Sequence, residues 1–539
     1  MTAATDFSAP EAAPAAGKPH LDHAMDPRAA LIFLAVLAGG LFYMAYSIYL
    51  DVAATGGGPT TILPFVLLGV ALVTALGFEF VNGFHDTANA VATVIYTHAL
   101  PAQTAVVWSG LCNLTGVLVS SGAVAFSIVS LLPVELILQV GSSAGFAMVF
   151  ALLISAIMWN LGTWWMGLPA SSSHTLIGSI VGVGIANALM RGVDGTSGVD
   201  WDQVTKIGYA LLLSPVFGFV LSAVLLLVMK AVVRTPSLYK APEGRDPPPI
   251  WIRGLLILTC TLVSFFHGSN DGQKGMGLIM LILIGVVPTA YALNRAPPEG
   301  HAAEFIASAQ AASKIVEAHG AGFSVIGDPR PAVTDYIHAH KISEGTYPSL
   351  AVLVKEISQS VSEYGSVAKT PIDKVANVRN DMYLASEALR VIGKDKESEL
   401  TAPEKKQIGE FKKQLDFSTK FIPIWVKVCV AIALGLGTMV GWKRIVVTVG
   451  EKIGKTHLTY GQGAAAELVA AATIGAADGF GLPVSTTHVL SSGVAGTMVA
   501  NGSGMQWSTV RNLAMAWVLT LPIAMTLSGA LFFLFRHLF

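Results

Sequence analysis

Long apolar runs recur along almost the whole chain. A helix needs about 20 mostly apolar residues to cross the hydrocarbon core of a bilayer. Shorter apolar pieces predict half-helices that enter the membrane without crossing it. The predicted full spans are 30–50, 61–82, 103–131, 143–166, 206–233, 251–269, 272–292, 421–441, 460–477 and 510–536, and the predicted half-helices are 87–100, 169–190 and 483–500. The pattern therefore predicts an all-α polytopic membrane protein.

The composition agrees with this fold class and excludes others. Of the 539 residues, 53% are hydrophobic and only 12% are charged, whereas a soluble chain carries about 25% charged residues. A formal net charge of −1 provides no clustered basic face for nucleic acid. The three cysteines are far apart in the sequence, so that neither a disulfide framework nor a CxxC metal site is predicted.

The charged residues are concentrated in one segment. Residues 294–420 hold 16 of the 33 Lys and Arg and 17 of the 34 Asp and Glu, and they include amphipathic stretches such as Asp373 to Ile392. This segment is predicted to be a soluble helical insertion with a regulatory or structural role. The Ala- and Pro-rich start of the chain lacks the basic and apolar regions of a signal peptide, so residues 1–29 are predicted to be a disordered tail.

Two motifs each occur twice in the chain. GLPASSSHTL at 167–176 returns as GLPVSTTHVL at 481–490, and FVNGFHDTANA at 80–90 aligns with FFHGSNDGQKG at 265–275. The two offsets, 314 and 185 residues, differ by almost the length of the insertion. The chain is therefore predicted to contain two homologous halves with one interruption. Paired hydrophobic segments interrupted by Gly and Pro indicate a transporter binding site built from broken helices.

These observations divide the chain into seven parts. They are a tail (1–29), a first transmembrane anchor and loop (30–59), repeat 1 (60–233), a basic linker (234–250), the first part of repeat 2 (251–293), the insertion (294–420) and the second part of repeat 2 (421–539). Basic residues at 230–253 and at 443–455 both favour the cytoplasm. Three predicted spans separate them and would place the two loops on opposite sides, so either one of the spans is re-entrant or one loop violates the charge bias.

The first motif places polar residues on one face of an apolar helix. Their spacing of 3, 4 and 3 residues matches the helical repeat, and the second copy keeps it. The residues are Glu79, Asn82, Asp86 and Asn89 in the first copy and Ser264, His267, Asp271 and Lys274 in the second. Ionisable groups inside a membrane are functional by default; the alternative is that they only hydrogen-bond helices together.

The second motif predicts an oxyanion site. Pro169 and Pro483 are suited to the first turn of a helix, and hydroxyl residues follow at once: Ser171, Ser172, Ser173, Ser485, Thr486 and Thr487. Unpaired backbone N–H groups, the positive end of the helix dipole and hydroxyl donors then converge. The alternative is ordinary capping and packing. Small residues behind the motif, Gly178, Gly182, Gly493 and Gly496, would allow close approach of neighbouring backbones.

Three further buried polar residues are candidates. His174 and His488 follow the hydroxyl runs. Because a structural metal site needs three or four ligands, a hydrogen-bonding or proton-handling role is favoured over a metal, the alternative being that they orient the hydroxyls. Glu467 lies in an apolar helix and is predicted either to handle protons or to be a packed, protonated acid.

Five segments resemble the inorganic phosphate transporter (Pit) family, specifically its bacterial low-affinity members. They are FVNGFHDTANAVATVIYT, GTWWMGLPASSSHTLIGSIVG, HGSNDGQKGMGLIMLILIGV, GTMVGWKRIVVTVGEKIGK and GLPVSTTHVLSSGVAGTM. The resemblance implies an inverted-repeat, multi-pass transporter of the bacterial cytoplasmic (inner) membrane and not an enzyme. It also implies uptake of orthophosphate as a neutral complex with a divalent metal such as Mg²⁺, a co-substrate rather than a permanent cofactor, driven by coupling protons.

The sequence departs from the family's Gly-Ala-Asn-Asp-x-x-Asn-Ala pattern at two places. Asp86, Asn89, Asn270 and Asp271 match the pattern, but His85 and Lys274 stand where Asn is expected. Because sodium prefers oxygen ligands, the hypothesis is that the Lys274 ammonium replaces a coupling cation and that protons on Asp86, Asp271 or Glu467 drive transport. In the same hypothesis Asp86 and Asp271 face the metal, while the hydroxyl residues contact the anion together with His174, His488, Asn82, Asn89 and Asn270.

Three other functions remain open. A sulfate transporter would use the same donors, since they suit any tetrahedral oxyanion. An intramembrane metal-dependent phosphohydrolase would use His174, His488 and the two aspartates, but an activating motif such as HExxH is missing from the sequence. A structural or signalling protein would work through the insertion. Homo-oligomerisation is also left open.

Overall fold

The computed structural model describes residues 19, 21, 26–55, 62–86, 88–132, 137, 141–192, 194–195, 199–242, 244, 246–320, 325, 327–395 and 398–538. Residues 1–18, 20 and 22–25 of the predicted tail lie outside this description. Secondary structure in the described part is helical, apart from a single bridge between Gly454 and Met505. The prediction of an all-α fold is confirmed.

The helices fall into three groups along the chain. The first half contains α1 (Pro27–Ala54), α2 (Leu63–Asp86), α3 (Ala88–Tyr96), α4 (Ala102–Val119), α5 (Ala123–Val129), α6 (Ser143–Trp165), α7 (Ser172–Met190) and α8 (Trp201–Val232). After α9 (Ile250–Val286) and the short α10 (Pro288–Tyr291), the insertion contains α11 (His301–His319), α12 (Arg330–Ala339), α13 (Thr346–Tyr364), α14 (Val375–Lys394) and α15 (Ala402–Thr419). The chain ends with α16 (Ile424–Thr438), α17 (Lys443–Val447), α18 (Tyr460–Gly479), α19 (Thr486–Asn501) and α20 (Trp507–Leu538).

Eight helices of the described chain are long and apolar enough to cross a membrane, or up to nine if a bent pair counts as one span. The bent pair is α15 and α16, which meet at 74° where the insertion returns to the apolar part of the chain. Helices α3, α7 and α19 lie at the predicted half-helix segments 87–100, 169–190 and 483–500, and α7, with 19 residues, is itself one of the eight that are long enough to cross. The polytopic membrane architecture therefore follows from the helices themselves.

Two predictions about spans are wrong. The predicted span 103–131 is divided into α4 and α5, with Gly122 in a left-handed conformation between them. Residues 251–269 and 272–292 were expected to cross the membrane separately, but α9 runs unbroken from Ile250 to Val286. The polar segment from His267 to Lys274 interrupts the hydropathy and not the helix, because backbone hydrogen bonds continue whatever the polarity of the side chains. Two crossings now separate the basic loops at 230–253 and 443–455, so the conflict in their predicted orientation disappears.

The predicted position of the two prolines is also wrong. Ser171 and Ser485 are the N-caps of α7 and α19, and their side chains accept hydrogen bonds from the backbone N–H groups of His174 and His488. Pro169 and Pro483 therefore lie two residues before the caps, outside the helices. The first turns are instead occupied by the hydroxyl residues that follow each cap, because Ser is a strong N-cap residue that satisfies otherwise unpaired donors.

The two halves pack on each other reciprocally. The half-helix α7 of the first half packs on α20 of the second, and α19 packs on α8 in the same way. A Cβ atom added to Gly182 would lie 2.1 Å from the Met525 carbonyl oxygen, and one at Gly496 would lie 2.1 Å from that of Phe219. Gly178 and Gly493 are similarly crowded. The prediction that these four glycines permit close backbone contact is confirmed.

The insertion lies against the ends of several membrane helices. Its central helix α14 is buried along most of its length and packs against α12, α13, α15 and α10. Arg390 on α14 forms an ion pair of 2.8 Å with Asp200, the N-cap of α8, and His340 lies 3.0 Å from Asp202 in the first turn of that helix. The insertion is therefore fixed to the start of α8. The start of α20 instead contacts the 443–455 loop, because the side-chain amide of Gln506, just before α20, donates hydrogen bonds to the carbonyl oxygens of Glu451 and Gly454.

Candidate substrate-binding site

Asp86 is the last described residue of α2 and is buried inside the protein. Its buried carboxylate accepts hydrogen bonds from the hydroxyl of Ser172 (2.5 Å) and from the hydroxyl of Thr487 (2.7 Å), and it lies 3.1 Å from Nδ1 of His85. Ser172 and Thr487 belong to the first turns of α7 and α19. One carboxylate therefore joins the starts of both half-helices through charge-assisted hydrogen bonds, the stronger kind of hydrogen bond.

Asp271 and Lys274 bring the middle of α9 to the same place. They are three residues apart and thus on one face of the helix, and the Lys274 ammonium lies 2.8 Å from the Asp271 carboxylate. Lys274 also donates a hydrogen bond to Ser173, and the Ser172 hydroxyl is 3.4 Å from Asp271. The central cluster is defined here as Asp86, Asp271, Lys274, Ser172, Ser173 and Thr487. All six side chains are buried.

The central cluster holds two carboxylates and one ammonium group, with His85 at 3.1 Å from Asp86 and His267 at 3.6 Å from Asp271. Two carboxylates, Asp86 and Asp271, approach one hydroxyl, while Lys274 is the cation that pairs with one of them. Burying a charge is costly unless it is paired and hydrogen-bonded. The arrangement can therefore accommodate additional positive charge, carried by a metal ion or by protons.

A further residue completes a set of potential metal ligands. Ligand atoms of Asp86, His267 and Asp271 lie within 4.8 Å of one another, and all three side chains are buried. His267 Nδ1 is 2.9 Å from the side-chain oxygen of Asn113 on α4, which orients the ring. In the sequence, His267 is predicted only as part of the polar helix face and not as a metal ligand. Its position four residues before Asp271 was the available signal.

The other hydroxyls at the half-helix starts have different surroundings. Ser171 and Ser485 are engaged as caps, and Ser173 donates to the Val484 carbonyl oxygen (2.9 Å), which ties α7 to the segment before α19. Thr486, the repeat counterpart of Ser172, is buried, and its hydroxyl has no hydrogen-bond partner among the described residues. Thr486 is therefore a buried, available hydroxyl donor in the first turn of α19.

His174 and His488 form a pair behind the half-helix starts. Their ring centroids are 4.6 Å apart, and the ring of His488 lies 4.3 Å from that of Trp517. Nδ1 of His174 and Nε2 of His488 lack hydrogen-bond partners within the described part of the chain. The two copies of the motif thus bring the histidines together, as expected for a pseudo-symmetric site.

Several predicted residues lie outside the central cluster. Asn270 donates to the Leu482 carbonyl oxygen (3.1 Å) and accepts from the Val484 N–H (3.4 Å), so its amide holds the backbone before α19. Asn82 donates to Glu79 at 3.4 Å. Asn89 belongs to α3, but its side chain lies outside the described part.

Glu467 is also separate from the cluster. Its carboxylate accepts hydrogen bonds from Thr93 on α3 and Thr259 on α9. Thr259 precedes Asp271 by 12 residues, which is about 18 Å along the helix at 1.5 Å per residue. The two carboxylates therefore occupy different levels of the membrane domain, with Glu467 closer to the basic loops.

An additional acid beside the cluster was not foreseen. Asp478, near the end of α18, accepts hydrogen bonds from Ser269 (2.6 Å) and from Gln273 (2.6 Å) on α9. The Gln273 side-chain oxygen in turn accepts from the Val124 N–H at the start of α5 (2.9 Å). These bonds fix α5, α9 and α18 around the central cluster. Such pairings between distant parts of the chain leave little signal in a single sequence.

The fold and this cluster define a class of protein. A polytopic helical membrane protein in which two half-helices begin at buried aspartates has the features of a membrane transporter. Comparison with known proteins identifies the family. Residues 82–528 match the Phosphate transporter family. The chain belongs to this phosphate transporter family.

Several bacterial relatives cover nearly the whole chain. The low-affinity inorganic phosphate transporter PitA of Escherichia coli K12 is 41% identical over 488 residues, covering 87% of this chain and 96% of PitA. PitB of the same strain is 39% identical over 492 residues, with the same coverage of both chains. A probable low-affinity inorganic phosphate transporter of Bacillus subtilis is 28% identical over 475 residues, covering 88% of this chain and 98% of that protein.

A solved structure supports the fold. A protein described as the sodium-dependent phosphate transporter matches with a TM-score of 0.50 and 21% identity, covering 88% of this chain and 100% of that one. The family resemblance noted in the sequence is confirmed, and the relatives are named as transporters and not as enzymes.

Proposed function

We propose that the protein takes up inorganic phosphate as a neutral complex with a divalent metal, by proton symport, through the central cluster. The observation that carries the proposal is that Ser172 contacts both Asp86 and Asp271 while Thr487 contacts Asp86. The starts of both half-helices and both aspartates thus meet at one buried place. This place offers donors for an oxyanion and carboxylates for a cation at the same time.

The metal side of the complex is assigned to Asp86 and Asp271, with His267 close to both carboxylates. Carboxylate oxygens are the ligands that Mg²⁺ prefers, and Mg²⁺ commonly uses one or two of them together with substrate phosphate oxygens. Their mutual distances of at most 4.8 Å allow one cation to contact more than one of them. A dication paired with divalent phosphate also removes the net charge, which lowers the cost of taking the anion out of water.

The anion side is assigned to the half-helix starts. In the structure the Asp86 carboxylate accepts hydrogen bonds from the hydroxyls of Ser172 and Thr487 at 2.5 and 2.7 Å. A phosphate oxygen would accept hydrogen bonds from the same donors. Thr486 supplies a further hydroxyl without a partner in the described chain. Helix N-termini favour negative charge through their dipoles and free N–H groups. Binding of phosphate is then an exchange in which Asp86 releases these donors and turns to the metal.

Protons are assigned to buried acids on both sides of the central cluster. Glu79 packs against Gly275, next to Lys274, and Glu467 lies between α3 and the first part of α9. Lys274 already supplies a fixed cation to Asp271 at 2.8 Å. This fixed charge supports the hypothesis that the ammonium replaces a coupling sodium ion, which leaves protons as the driving ions.

We infer that the two halves are inverted in a bacterial cytoplasmic membrane. The insertion contacts the start of α8, whereas the 443–455 loop contacts the start of α20, so these equivalent helices begin on opposite sides. Basic residues near the end of α8 and in the 443–455 loop favour the cytoplasm, which places the insertion outside. Rocking of one half against the other would then expose the central cluster alternately.

Uptake of labelled phosphate into proteoliposomes tests the proposal. Acid outside together with Mg²⁺ is expected to stimulate uptake, and a sodium gradient is expected to have no effect. Lys274→Asn is expected to introduce sodium dependence or to change the pH profile, because it removes the fixed cation. Uptake that ignores both the pH gradient and Mg²⁺ would contradict the coupling, and equal inhibition by sulfate would contradict selectivity for phosphate.

A further inference from the structure

Arg379 is a buried cation at the junction between the insertion and the membrane helices. Its side chain on α14 is buried, and its guanidinium lies 4.9 Å from the centre of the Tyr383 ring, one turn along the same helix. Nη1 donates to the side-chain oxygen of Asn380 at 3.3 Å, and Nε has no partner in the described part of the chain. No carboxylate of the described residues forms an ion pair with Arg379.

The neighbouring charges are paired among themselves. Glu387 on α14 lies 2.6 Å from Arg390 and 3.6 Å from Lys420, and Lys420 lies 2.9 Å from Asp416. The acids at this junction are therefore already neutralised by other cations. Burial lowers the pKa of Arg379 to about 10, so it stays protonated at neutral pH and carries an uncompensated positive charge.

Arg379 lies between the junction and the part of α9 that follows Lys274. Arg379 lines a small cavity together with Ser130, Tyr383 and Glu387 of the junction and with Gly277 and Ile284 of α9. Gly277 and Ile284 follow Lys274 by 3 and 10 residues and lie on the same face of the helix. Ile284 is about 15 Å from Lys274 along the helix axis at 1.5 Å per residue.

A larger cavity continues from the same residues to the outer part of the insertion. It has a volume of about 390 Å³, shares Ser130, Tyr383 and Glu387 with the small cavity, and also borders Asp200 at the start of α8. The two cavities together follow the seam between the insertion and the membrane domain. The small cavity, in which Arg379 lies, ends against Gly277 and Ile284 of α9.

We propose that Arg379 is an oxyanion-binding residue on the access route along this seam, which the anion contacts before it reaches the central cluster. The proposal rests on the proposed function, because it takes phosphate as the anion and the insertion side as the side of uptake. An arginine suits this role, since its planar fork of N–H donors matches phosphate oxygens. It also gives the insertion a direct part in transport.

Initial rates of labelled phosphate uptake in proteoliposomes, measured against phosphate concentration, test the proposal. Arg379→Gln is expected to raise the KM for phosphate about tenfold with little change in kcat, because one charge-assisted contact outside the central cluster is lost. Arg379→Lys keeps the positive charge and loses the planar fork of donors, so its KM for phosphate is expected to lie between those of the wild type and Arg379→Gln. The thermal unfolding temperature of Arg379→Gln should equal or exceed that of the wild type, since an unpaired buried charge is removed.

Arg330→Gln is the matched control. Arg330 lies in the same insertion and pairs with Asp381 of α14 at 2.7 Å, away from the seam. This variant should lower the unfolding temperature and leave the KM unchanged. An Arg379→Gln protein with wild-type KM would overturn the proposal while leaving the proposed function intact; if that variant cannot be purified, a wild-type KM in Arg379→Lys would do so. Absence of phosphate uptake by the wild type would overturn both.

Discussion

The hydroxyl groups at the half-helix starts have two different roles, helix capping and hydrogen bonding to Asp86. Ser171 and Ser485 cap α7 and α19, whereas Ser172 and Thr487 donate to Asp86. In the sequence all of these hydroxyls form two similar runs, and their identity as oxyanion donors was predicted for the runs as a whole. Which hydroxyl caps the helix and which donates to the cluster depends on where the helix begins. The sequence predicted Pro169 and Pro483 in the first turn, three residues before the observed first helical residues.

Replacement of the donor hydroxyls is expected to separate transport from stability. Ser172→Ala and Thr487→Ala should each lower phosphate uptake about ten- to hundredfold, because a hydrogen bond to a charged group contributes about 1.5–3 kcal/mol. Ser171→Ala and Ser485→Ala should instead lower the stability of the protein, since loss of an N-cap costs about 0.5–2 kcal/mol. Uptake kinetics and thermal unfolding of the four purified variants check both expectations, and loss of uptake confined to the cap variants would contradict the assignment.

At the scale of helices, close contact between the halves depends on glycine. Gly182 of α7 meets the Met525 carbonyl oxygen of α20, and Gly496 of α19 meets that of Phe219 of α8. The sequence predicted these contacts because small residues recur behind both motifs. The prediction from the sequence was wrong for α9, because its polar segment resembled a loop between two spans. The sequence also could not identify Thr93 and Thr259 as the partners of Glu467, since contacts between distant segments have no local periodicity.

Gly182→Ala is expected to destabilise the contact between α7 and α20. Its Cβ atom would lie 2.1 Å from a backbone oxygen, and such overpacking costs about 1–3 kcal/mol. Gly162→Ala on α6 is the control, because no atom lies within 4 Å of the new Cβ atom and alanine favours the helix by about 1 kcal/mol. Thermal unfolding in detergent measures both; equal unfolding temperatures for the two variants would contradict the packing.

The whole molecule combines two packed halves with an insertion that lies on one side. The duplicated motifs predicted that Ser172, Thr487, Asp86 and Asp271 would lie together, which the hydrogen bonds among them show, and the charge distribution marked the helices of residues 294–420 as a separate group. The attachment of the insertion through Arg390 and Asp200 was not predictable, because both residues resemble ordinary surface charges in the sequence. For the same reason Arg379 has no distinguishing mark until the fold shows that it is buried.

Cysteine labelling is expected to place the insertion outside the cell. Asp373 of the insertion has an exposed side chain, and Lys455 of the basic loop is also exposed. A membrane-impermeant maleimide should label Asp373→Cys in intact cells and Lys455→Cys only after permeabilisation, because basic loops stay in the cytoplasm. The reverse pattern would invert the topology and remove the argument that the anion first meets the insertion. The wild-type protein controls for Cys112, Cys260 and Cys429.

The most direct measurement of the central claim is phosphate uptake by the purified Asp86→Asn protein in proteoliposomes. The variant is expected to transport at least about thirtyfold more slowly than the wild type, because truncating one partner of a buried charged contact costs about 2–5 kcal/mol of binding free energy. Asp373→Asn, at an exposed acid of the insertion, should transport at the wild-type rate. Wild-type uptake by a folded Asp86→Asn protein would contradict the assignment of the central cluster as the phosphate site.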